Sequence, residues 1–106
     1  MTTRLLAAAL AAAILAPAPP VAAGDAAAGG RIARMCSPCH GRDGVAVRAN
    51  TPQIGGLEAD YIAFQLADYR SGARVHPEMN IVAGPLSDTQ IADLAAWYAA
   101  QEGPAD

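Results

Sequence analysis

The chain has 106 residues, a formal net charge of −3, two cysteines, two histidines and no lysine. That length holds one small domain. A mildly acidic surface whose only strong cations are arginines excludes nucleic-acid binding, which needs a basic face.

The elements follow in chain order. MTTR is a short positive start, Leu5 to Ala16 form an apolar run, and PAPPVAA breaks it, with small residues at Val21 and Ala23. This is the pattern of a secretory leader over residues 1–23, cleaved after Ala23. An uncleaved anchor is the alternative, although a membrane span needs roughly 20 apolar residues. Residues 24–106 then form a single exported domain. A domain of about 80 residues buries a small core and often needs a staple. Its large aromatics are Tyr61, Phe64, Tyr69, Trp97 and Tyr98, among many alanines. A group other than its own side chains is therefore expected to fill the middle.

GDAAAGGRIARMC reads as a first helix, with Asp25 as N-cap and with Ile32 and Met35 facing inward. Gly29 and Gly30 each disfavour a helix interior by about 1 kcal/mol relative to alanine, which suggests a close crossing by another helix. From Gly41 to Gly56 no period is sustained, and the stretch reads as a loop. Ile62, Leu66 and Tyr69 restore helical spacing, and Gly72 is a C-terminal stop. ARVHPEMNIVAGP reads as a second irregular stretch because of Pro77, Gly84 and Pro85. Ser87 to Gln90 is a capping box, with Leu86 and Ile91 as hydrophobic staple. Ile91, Leu94, Ala95 and Tyr98 form the inward stripe of the last helix. No segment alternates as a strand should, so the expectation is an all-α domain of three main helices and two long loops. Long loops in a compact domain have a function, and here they would wrap a bound group.

CSPCH, Cys36 to His40, holds both cysteines and one histidine. A thioredoxin-like dithiol belongs in a βαβ unit, and no strands are expected. A structural zinc site needs four ligands, and only His76 remains to supplement the run. A disulfide closing so short a loop stabilises little and leaves His40 without a role. Covalent haem attachment uses every residue: two thiols for the two vinyl groups and an imidazole for the iron. Cys-x-x-Cys-His is the signature of c-type haem.

With this motif the sequence resembles the class I c-type cytochromes, in particular the small periplasmic single-haem branch. The resemblance covers essentially the whole of residues 24–106. Gly24, Asp25, Gly29, Ile32 and Cys36 resemble the N-terminal helix of that family, and ADLAAWY (Ala92 to Tyr98) resembles its C-terminal helix. It implies a small cytochrome c fold around one haem c attached through Cys36 and Cys39, with Gly29 or Gly30 crossed by Trp97. TPQIGGL resembles the loop whose proline carbonyl accepts a hydrogen bond from the ligand histidine, which implies that Pro52 orients His40. Met79, ahead of Leu86-Ser87-Asp88, matches the placement of the family's methionine ligand. A soft apolar plug at Met79 and ligation by His76 remain the alternatives, with Met35 read as core filler. Some relatives carry a second methionine where this chain has Val82.

His/Met ligation raises the potential and closes the iron site, which suits electron transfer rather than enzymic work. The resemblance thus implies a periplasmic electron carrier that is not itself an enzyme. Its partners would be redox proteins, such as a dehydrogenase as donor and a terminal oxidase or reductase as acceptor. Glu58, Asp60, Asp68, Glu78, Arg70 and Arg74 are candidates for charge steering, or simply an ordinary solvated face. The alternatives are a haem c subunit bound permanently to a larger dehydrogenase, and a haem enzyme or sensor with an open iron site.

Overall fold

The computed structural model describes residues 23–103. The expected leader lies outside these residues except for Ala23. Five helices follow one another: α1 (Ala26–Ile32), α2 (Ser37–His40), α3 (Ala59–Ser71), α4 (Pro77–Ala83) and α5 (Asp88–Ala99). A 3-10 turn over Ala33–Met35 joins α1 to α2, and the described residues contain no strand. None of their helices is long and apolar enough to cross a membrane.

The local signals act as the sequence suggests. The Asp25 side chain accepts from the Ala28 N–H and caps α1. Gly72 leaves α3 with a φ of 84°, a left-handed conformation that glycine adopts without strain. Ser87 and Gln90 complete the capping box of α5, and Leu86 and Ile91 are both buried beside it. Ile91, Leu94, Ala95 and Tyr98 are the buried residues of α5.

Helices α1 and α5 cross at the two glycines. A Cβ added to Gly29 would sit 1.9 Å from the Asp93 carbonyl oxygen, and one on Gly30 would meet the Trp97 ring at 2.7 Å. The Asp25 N–H also donates to the Asp93 carboxylate at 2.8 Å, tying the start of α1 to α5. The third main helix, α3, packs on α5 through Ile62 and Leu66. The core is thin, as so short a chain dictates: three of its nine buried hydrophobic residues are alanines, and Tyr98 is its only buried aromatic.

Two expectations are corrected. The stretch around Pro77 is not irregular, because α4 begins there. Proline at the first helical position lacks only an N–H that would have no partner anyway, and the His76 ring supplies the cap. Met35 does not fill the side-chain core, where Ala33 takes the buried position after the 3-10 turn; it lines the cavity beside Cys36 instead.

Candidate haem-binding site

The 3-10 turn and α2 place Cys36, Cys39 and His40 within one tight turn, closed by Gly41 at a φ of 75°. The amide N–H groups of Cys39 and His40 both point to the Cys36 carbonyl, at 3.3 and 2.9 Å. All three side chains line a cavity of about 600 Å³, a size typical of sites for cofactor-sized ligands. The Gly41–Glu58 loop forms part of its wall with Pro52, Ile54 and Leu57, α3 contributes Ile62 and Leu66, and α4 contributes Met79 and Val82.

His40 is buried, and its ring fixes its own tautomer. Nδ1 lies 3.0 Å from the Pro52 carbonyl oxygen. A carbonyl only accepts, so Nδ1 carries a proton, and in the neutral ring Nε2 is the nitrogen with the lone pair. No described residue offers Nε2 a hydrogen-bond partner. A buried imidazole with one nitrogen anchored and the other available as a lone-pair donor is the arrangement of a metal-ligating histidine.

The two thiols differ in surroundings. Burial pushes the Cys36 thiol up, partly offset by a hydrogen bond with Tyr98. The Cys39 sulfur accepts from Arg48 Nη1 at 3.0 Å. Tyr98 is itself shifted upward, first by burial and then by its proximity to Cys36. Its hydroxyl donates to the Gly41 carbonyl at 3.3 Å, and the Trp97 indole N–H donates to the Arg42 carbonyl at 2.8 Å. Helix α5 therefore grips the chain just after the cysteine turn.

Among the described residues no three His, Cys, Asp or Glu side chains converge on a cation site. The donors that line the cavity are the two thiols, the thioether of Met79 and two imidazoles, His40 buried in the wall and His76 at its exposed side. That chemistry fits a covalently held haem. The wall also brings in residues that sequence reasoning missed. Arg48 pairs with Glu78 through two bonds of 2.8 and 2.6 Å, joining the loop after α2 to the first turn of α4. The Arg48 guanidinium holds the Glu78 carboxyl below its ordinary value.

His76, the rival ligand, is exposed, and its Nδ1 accepts from the Glu78 and Met79 N–H groups. Arg70 pairs with Asp88, and the Arg74 guanidinium bonds Gln65 and lies over the Tyr69 ring. Of the six charges considered for steering, Glu78, Arg70 and Arg74 are thus engaged within the protein. Glu58, Asp60 and Asp68 form no ion pair among the described residues.

No protein-family model matches the chain. Cytochrome c-554(548) of Halomonas halodenitrificans is 41% identical over 83 residues, covering 76% of this chain and all of that one. The chain belongs to the class I c-type cytochromes. This cytochrome is also 42% identical over 81 residues to cytochrome c4 of Pseudomonas aeruginosa, covering 76% of this chain and 40% of that protein. The thiosulfate dehydrogenase electron acceptor of Stutzerimonas stutzeri is 40% identical over 73 residues, covering 68% of this chain and 34% of that one. The crystal structure of reduced cytochrome c4 from Pseudomonas stutzeri superposes with a TM-score of 0.71 at 35% identity, covering 76% of this chain and 47% of that one. This cytochrome therefore spans less than half the length of most of these relatives. Membership of the family implies a covalently bound haem c, and the cavity is where the donor set for it lies.

Proposed function

We propose that the protein is an exported, periplasmic electron carrier. Cys36 and Cys39 would attach a single haem c, and His40 and Met79 would be the residues that hold its iron. When bound, the haem supplies an iron that alternates between ferric and ferrous states. The observation that carries this reading is the anchored tautomer of His40 in the cavity that Cys36, Cys39 and Met79 also line. Pro52 orients the imidazole and holds the Nδ1 proton, leaving Nε2 as the donor to iron. Met79 offers a soft thioether from a separate element, and two ligands kept through both oxidation states leave little to reorganise. His76 Nδ1 accepts in the α4 cap, so in the neutral ring Nε2 carries the proton and offers no lone pair, which supports Met79 over a bis-histidine arrangement.

The leader over residues 1–23 would direct export and be removed, leaving residues 24–106 as the working domain. Docking partners would be redox proteins meeting the surface through small, short-lived interfaces, with Glu58, Asp60 and Asp68 free to steer a basic one. A dehydrogenase as electron donor is favoured by the name of the Stutzerimonas stutzeri relative. Exposed Phe64 on α3 would suit either a transient or a permanent complex with it.

The test is the visible spectrum of the full chain produced with a haem-maturation system. The oxidised protein is expected to show the weak long-wavelength band of methionine–ferric ligation, and Met79→Ala to abolish it. A high-spin ferric iron in the wild type, or ready CO binding by the reduced form at neutral pH, would instead point to an open iron site.

A further inference from the structure

Met79 sits in a helix of only seven residues, far below the length at which helices hold themselves together in water. Its first turn nevertheless leaves no donor without a partner. Pro77 has no N–H. Those of Glu78 and Met79 both reach His76 Nδ1 at 3.3 Å, and that of Asn80 reaches the His76 carbonyl at 3.0 Å.

The frame is closed by the carboxamide of Asn80. Its Oδ1 accepts from the His76 N–H at 2.7 Å, while Nδ2 donates to the carbonyls of Tyr69 and Arg74, each at 2.9 Å. One neighbour is a donor and two are acceptors, so only this orientation of the amide satisfies all three. Tyr69 lies in the last turn of α3, where carbonyls have no partner within the helix. Asn80 thus joins the end of α3, the connecting segment and the cap of α4 through one side chain.

We propose that Asn80 is the positioning residue for Met79, holding its helix in register so that the thioether stays at the cavity wall. The inference rests on Met79 being an iron ligand. The Arg48–Glu78 pair also holds this turn, but both side chains are more than half exposed, at 52% and 54%. Water screens such a pair, and it contributes little. The two Asn80 donor bonds, one of them part-buried, should therefore dominate.

The experiment uses the full-length holoprotein, comparing wild type with Asn80→Ala, Asn80→Asp, Arg48→Gln and Met79→Ala. The readouts are the methionine–ferric band and the affinity of the ferric protein for added imidazole, which competes with Met79 for iron. Asn80→Asp keeps an acceptor for the His76 N–H but loses both donors, and it carries the comparison if Asn80→Ala fails to accumulate. Both Asn80 variants are expected to weaken the band and bind imidazole about tenfold more tightly, through loss of two hydrogen bonds. Arg48→Gln should change the affinity by less than about threefold. Asn80 variants that keep the band, with imidazole affinity within about twofold of wild type, would overturn the proposal while leaving Met79 as ligand. A wild type without the band, or an affinity unchanged by Met79→Ala, would overturn both readings together.

Discussion

Replacing Gly29 with alanine sets two known effects against each other. Alanine favours a helix interior over glycine by about 1 kcal/mol, so propensity alone makes Gly29→Ala stabilising. The crossing says otherwise. The new Cβ would lie 1.9 Å from the Asp93 carbonyl oxygen, 2.5 Å from its carbon and 3.0 Å from Trp97 Cβ. Two of those atoms are backbone, so no rotamer change relieves them. Ordinary contact lies near 3.5 Å, so α1 and α5 would have to separate by about 1.5 Å. Overpacking disfavours a core by about 1–3 kcal/mol. With the upper end fitting a backbone clash, the net loss after the propensity gain is about 2 kcal/mol. For a domain of this size that lowers Tm by about 8–16 °C. At Gly30 the obstacle is the Trp97 ring at 2.7 Å, a side chain able to tilt if it releases its bond to the Arg42 carbonyl. A smaller loss is expected there. Thermal melts of the holoprotein, followed by circular dichroism, give the order: wild type, then Gly30→Ala, then Gly29→Ala. A Gly29→Ala protein as stable as wild type would mean that the helices do not cross here, and the account of the α1–α5 interface would fail.

Tyr98→Phe removes the hydroxyl that serves the buried Gly41 carbonyl and leaves that acceptor only the longer bond from the Gly44 N–H at 3.4 Å, lowering stability by about 1 kcal/mol. A melting temperature within about 2 °C of wild type would show that this hydrogen bond contributes little. The Glu78 carboxyl is held below its ordinary value by Arg48, so its contribution is present above the usual carboxylate range. It is lost as pH falls through the lowered value. Glu78→Gln and wild type should accordingly differ most in thermal stability at neutral pH and low salt, and converge in strong acid. A difference constant across pH would rule out the ion pair as its source.

Features that depend on neighbours a few residues apart could be read directly. The Asp25 cap, the Ser87–Gln90 capping box and the stop at Gly72 each act within about one turn. The inward stripe of α5 follows from the helical period. The Cys36–His40 run carries its chemistry in its own spacing. Helix α4 departs from the expectation for a local reason too, since a proline signals a break inside a helix and a start at its first position. Choosing between these needs the cap, and His76 is not a usual N-cap residue. Its ring takes that role because Asn80, Tyr69 and Arg74 hold the turn in place.

The sequence by itself thus determined the three main helices with their capping signals, and the candidate residues for holding a haem. Only the tertiary structure decided which of them meet. The Pro52 carbonyl faces His40 across 12 residues of chain, Arg48 meets Glu78 across 30, and Tyr98 reaches Gly41 across 57. No period or local propensity encodes such pairs. They form because α1 and α5 close on each other at two glycines, while α3, packed on α5, carries the Met79 helix to the same cavity.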